Sequence, residues 1–155
     1  MRFHPRPVAV AGAVLAQAAL LVWAVQPQLS PRLTGREYRL AVAPVDPIDP
    51  FRGAYVDLSY PGLPTEVPEQ GRYYVPLVAD GALWKGTGAV KERPARQPYL
   101  ACGSPDGLRD CGIGSFFVSE GRARALEQDV TAGRLAAVIR VDGRGRAAVI
   151  GLQPR

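Results

Sequence analysis

The hydropathy pattern begins with a run that has no polar face. From Val8 to Val25 every residue is apolar or small except Gln17, so apolar positions fall on all sides of any helix drawn through them. A helix that is hydrophobic all round suits lipid or a deep core, not the surface of a small domain. At a rise of about 1.5 Å per residue, such a run is just long enough to cross a hydrocarbon layer of about 30 Å. The leader Met1–Pro7 carries Arg2 and Arg6, and Trp23 stands near the far end of the run. Basic residues are retained on the cytoplasmic side and aromatic ones favour the interface. The pattern therefore predicts a single pass with a cytoplasmic N-terminus and everything after Gln26 outside. Ala24, with Val22 two places earlier, also makes a weak cleavage pattern, so secretion after removal of the leader is the alternative.

Beyond the run the pattern changes to period two. Gln26–Gly35, with Pro27, Pro31 and Gly35, reads as a spacer, leaving residues 36–155 as one exported domain. Arg36–Val42 alternates Tyr38, Leu40 and Val42 against Glu37, Arg39 and Ala41. Gly71–Val78 and Ala82–Thr87 flank Asp80-Gly81, a strong hairpin signal because the favoured turn needs positive φ at its centre. Tyr73, Val75 and Leu77 would share one face. Pro76, lacking an N–H, calls for an edge or bulged strand there. Ser115–Val118 is a short strand. Glu120–Ala132 spaces Ala123, Leu126 and Val130 as a helix, with Ser119 as N-cap and Gly133 as terminator. Leu135–Val141 and Arg146–Leu152 form the last pair, with Leu135, Ala137, Ile139 and Val141 facing Ala148, Ile150 and Leu152 in the core. The fold class is α+β: a membrane helix, then a small, mostly antiparallel sheet, possibly barrel-like, with one helix in the C-terminal half.

The stretch Val45–Tyr60 joins a rigid lead-in to a clear strand. The Asp46-Pro47 and Asp49-Pro50 steps hold both aspartates out of the helical region, and Gly53 allows a turn closed to other residues. Tyr55–Tyr60 then alternates Val56, Leu58 and Tyr60 against Tyr55, Asp57 and Ser59. Gly53-Ala54-Tyr55-Val56-Asp57-Leu58-Ser59-Tyr60 resembles the signature of the GDYxxLxY family of bacterial membrane-anchored proteins. Gly53, Tyr55, Leu58 and Tyr60 match, and Ala54 stands where the family has aspartate. Phe51-Arg52 and Phe116-Phe117-Val118-Ser119-Glu120-Gly121 are also similar to family members. The resemblance implies a protein of the bacterial plasma membrane with no established activity. It also implies a multi-spanning membrane protein as partner, since members are often encoded beside one. Any chemical role of the family's aspartate is closed to Ala54.

Composition adds little to this reading. The chain has 155 residues and a formal net charge of +5, carried mainly by arginines scattered among acids and glycines. No basic stripe with interleaved aromatics is present, so nucleic acid is not an expected partner. Cys102 and Cys111 are the only cysteines. Even in number and exported, they predict one disulfide closing a short loop. Two cysteines without a nearby histidine cannot complete a zinc site, and their spacing is not that of redox pairs.

The only histidine, His4, lies in the leader, so no exported catalytic triad can form. The layout is similar to that of type I signal peptidases, but no Ser-x-Met-like element precedes Gly53, and Lys85 and Lys91 have no evident serine partner. No cofactor is implied. The sequence thus predicts an accessory or interaction subunit binding through Asp46, Asp49, Arg52, Gly53, Tyr55, Leu58 and Tyr60. The alternative is a ligand-binding or metal-binding module, or an enzyme of the envelope, using Asp46, Asp49 and Asp57. Tyr55, Tyr60, Tyr73, Tyr74 and Trp84 are candidates to line a cleft or to pack a core.

Overall fold

The computed structural model describes residues 5–44, 55–104, 110–117, 129 and 132–155. The apolar run forms the middle of α1, Pro5–Thr34. Its span Ala9–Gln26 has a mean hydropathy of 1.8 and no residue buried against the rest of the chain. This is long and apolar enough to cross a membrane. The expected spacer is helical: Pro27 and Pro31 stand inside α1, and the helix ends only before Gly35, whose N–H donates to the Pro31 carbonyl at 2.9 Å. A proline inside a helix removes one donor and crowds the carbonyl four residues back. Here the turn containing Pro31 is held from outside. Pro31 is buried, and the Ser30 hydroxyl donates to Asp142 Oδ2 at 2.7 Å.

Among the described residues nine strands follow: β1 Arg36–Ala41, β2 Ala43–Pro44, β3 Tyr55–Ser59, β4 Gly71–Asp80, β5 Leu83–Gly86, β6 Tyr99–Ser104, β7 Ser115–Phe117, β8 Leu135–Val141 and β9 Ala147–Pro154. Six of them make one sheet in the order β6-β4-β5-β1-β8-β9, and β2-β3-β7 make a second, smaller one. All pairings are antiparallel except β1 with β5, where Leu40 lies opposite Trp84. The class is α+β, as the alternation and the hairpin signals predict. The helix expected over Glu120–Ala132 lies outside the described residues except for Asp129, which is helical, and Ala132, which is in a turn.

The large sheet curls toward closure. Ala101 of its first strand donates to the Gly145 carbonyl in the turn between its last two strands, at 2.7 Å. Gly145 has φ of 81°, and a Cβ there would fall 2.5 Å from the Tyr99 ring. The turn therefore requires glycine both for its backbone and for the ring packed on it.

The core contains the predicted faces of β1, β4 and β8: Tyr38 and Leu40, then Tyr73, Val75 and Leu77, then Leu135, Ala137, Ile139 and Val141. Two details differ from the simple alternation. β4 is an inner strand, not an edge. It tolerates Pro76 because the ladder is bulged there: beyond the Leu77–Gly86 pair, the partner chain carries one extra residue before Val90 meets Tyr74. In β9, Ala148 is buried, but Ile150 is exposed at 38% and Val149 is in the core. The cause is a register shift at Val138/Ile139, where Val138 pairs with Gly151 and Ile139 with Val149. Ile150 is the extra residue of that bulge, so the inward phase slips by one from that point toward the turn.

Candidate functional site

The family motif places its second half on β3, in the small sheet. Leu58 points into the core, and its N–H donates to the Gly114 carbonyl at 2.8 Å. Tyr60 follows at the strand end, where its hydroxyl donates to the Ile113 carbonyl at 2.8 Å. A turn then reverses the chain, with Leu63 donating back to the Tyr60 carbonyl at 3.0 Å, and Gly86 donating to Gly62 at 2.8 Å ties this turn to β5. Pro61 occupies the second place of that turn, and Pro64 and Pro68 keep the chain after it out of the helical region. The result is a groove of about 280 Å³ between the 60–67 segment and the end of β3, with Tyr73 and Val75 in its lining.

Leu58, Tyr60, Leu63, Val67 and Ile113 supply most of the apolar lining, and Cys111 closes one side. Cys111 is fixed there by its bond to Cys102, with an S–S distance of 2.06 Å, so the predicted disulfide is present. It staples the groove wall to β6. Among the described residues no charged side chain lines the groove, and its polar groups are hydroxyls and main chain. Burial pushes the Tyr60 phenol well above the usual tyrosine range. It remains a neutral donor committed to Ile113 at any physiological pH. A groove with this chemistry is suited to an apolar group. Its volume is at the small end for ligand sites and suits one or two side chains.

The structure brings together Leu58 and Tyr60 from the motif with Tyr73 from the candidate aromatics, which both lines the groove and packs in the core. Tyr55 is the first residue of β3, paired with Phe117, and Asp57 is exposed on the same strand opposite Ser115. Asp46, Asp49, Arg52 and Gly53 lie outside the described residues. The other aromatics do not join the groove: Trp84 packs edge-on against Tyr38 at 5.0 Å, and Tyr74 against Tyr99 at 5.7 Å. Leu63, Val67 and Ile113 were not distinguishable in the sequence as groove residues. The only signal was the proline spacing after Tyr60, which marked a loop without showing what it faced.

A second cluster was also not visible in the sequence. Asp142 is buried at 3% exposure and collects the Ser30 hydroxyl, the main-chain N–H groups of Arg144 and Arg146, and the Arg146 guanidinium at 2.8 Å. Burial works to raise its pKa, but these donors together hold it below the usual aspartate value. Beside it, Arg140 donates to the Arg32 carbonyl at 2.7 Å and pairs with Glu37. This cluster fixes the end of α1 to the β8–β9 hairpin.

The molecule is thus of a definite class: a small α+β domain, closed by one disulfide, on an N-terminal helix apolar enough to span a bilayer. The chain belongs to the family described as GDYXXLXY protein, whose pattern matches residues 17–152. No curated protein and no solved structure matches it.

Proposed function

We propose that this chain is a single-pass protein of the bacterial plasma membrane with an extracytoplasmic domain, and that it acts as an interaction subunit of a membrane complex. Its partner is a membrane protein that presents an apolar side chain to the groove beside Tyr60. The observation that carries this reading is the groove itself: preformed, apolar, free of charged side chains among the described residues of its lining, and built from the family's own Leu58 and Tyr60. Three further observations support it. The disulfide suits an oxidising compartment. The span Ala9–Gln26 is unburied. α1 also continues past the apolar span into the turn where Ser30 is tied to Asp142, so the span and the domain are joined directly.

The test is co-purification of the full chain from its native membranes in mild detergent. A stoichiometric membrane partner is expected with wild type, and it should be lost on Thr65→Trp, which fills the groove mouth, and on Tyr55→Ala or Arg52→Ala. Each variant must retain the wild-type melting temperature. Recovery of the same partner with all three variants, or of none with wild type, would overturn the proposal.

A further inference from the structure

The end of α1 and the hairpin docked on it set the depth of the domain relative to the apolar span. Ser30 lies four residues beyond Gln26, or about 6 Å along the helix. The headgroup layer on each side of the hydrocarbon is about 5 to 8 Å thick. Asp142, bonded to Ser30, therefore sits at headgroup depth. β8 descends along the helix: Arg140 meets Arg32, and Asp142, two residues later, meets Ser30. The hairpin tip Gly143–Gly145 is thus the part of β8–β9 nearest the span. The segment before β6 is pinned to that tip, because Arg93 and Gln97 both donate to the Gly143 carbonyl, at 2.9 and 3.0 Å.

These contacts gather positive charge at one level. Arg32, Arg93, Arg96 and Arg144 are all exposed, and none of them is in an ion pair among the described residues. The acid at the centre, Asp142, is already matched by Arg146. Glu92 is the one acid of the 91–98 segment, against Lys91, Arg93 and Arg96. Resting on the single-pass reading, we infer that this arginine collar is a contact surface for anionic lipid headgroups, which seats the hairpin tip on the outer leaflet. Guanidinium groups are suited to this role because they fork onto phosphate oxygens, and basic groups close to an anionic surface are attracted within a Debye length.

The experiment is hydrogen exchange on the full chain reconstituted in vesicles of phosphatidylcholine alone or with about 30% phosphatidylglycerol. Peptides covering 142–146 and 93–98 are expected to exchange about fivefold more slowly in the anionic vesicles, consistent with the pull expected of one basic group near such a surface. The difference should fall away in high salt and in the Arg96→Glu/Arg144→Glu variant, while β4 and β8 stay protected in every case. Incorporation that resists alkaline extraction, with equal exchange in both vesicles, would overturn the collar and leave the anchor standing. Release of the chain by alkaline extraction would overturn the anchor, and the collar with it.

Discussion

Two neighbouring sites of the domain solve opposite problems. In the Asp142 cluster every group is polar and every one has its partner: hydroxyl, main-chain N–H and guanidinium converge on one buried carboxylate. In the groove the lining is mostly apolar, and part of it is left uncovered between Tyr60, Leu63 and Val67. A saturated polar cluster is specific and stiff, because loss of any member strands the others. An apolar groove is tolerant, because its walls lose little when empty and gain when filled. The difference sets a stiff joint beside an adaptable cleft within one small domain.

The comparison can be broken hardest at the polar cluster. Asp142→Ala removes the acceptor of four buried or half-buried donors and is expected to cost about 3 kcal/mol, read by denaturant unfolding of the full chain in micelles. The same site gives a pH signature. Because the folded carboxyl titrates below its unfolded value, its contribution is complete above the ordinary aspartate range and is lost as pH falls through the folded value. Wild type should lose stability in acid more steeply than Asp142→Ala, and equal slopes would show that the cluster does not hold the carboxylate.

Reduction of Cys102–Cys111 comes next, with a loss of about 2.5 kcal/mol on the chain-entropy estimate for so short a loop. It should loosen the groove wall before β8, visible as faster exchange at Ile113 than at Ile139. Tyr60→Phe leaves the Ile113 carbonyl without its donor and should cost about 1 kcal/mol by thermal melting. A larger loss would mean that the ring, too, had moved. Thr65→Trp, at an exposed position, should change stability by no more than about 0.5 kcal/mol and yet abolish partner capture. A drop in melting temperature comparable to that of Asp142→Ala would erase the distinction between the two sites.

Local patterning made much of the fold legible. The 80–81 hairpin, the inward faces of β1, β4 and β8, and the disulfide follow from spacing, turn chemistry and cysteine count, each decided by a few neighbouring residues. What escaped was decided at a distance. Ile150 is displaced by a slip against Val138/Ile139, and no feature of 146–152 announces it. Pro76 did call for an edge or a bulge, and it is the opposite chain that settles which, by bulging beside an inner strand. The prolines after Gln26 suggested a break, but the turn holding Pro31 is supported by a carboxylate 112 residues away from Ser30. Of the site, Leu58 and Tyr60 could be named from the motif. The apolar lining opposite them could not, because Leu63, Val67 and Ile113 look like ordinary core residues until the chain is folded.

The unbroken passage from the greasy helix into the docked hairpin also has a mechanical meaning. Mast and head are joined without slack, through Ser30 to Asp142 and Arg140 to Arg32. If α1 spans a bilayer as proposed, a lean imposed on it by lipid thickness would carry the hairpin with it, and with the hairpin the groove wall at Gly112 that packs on Ala147.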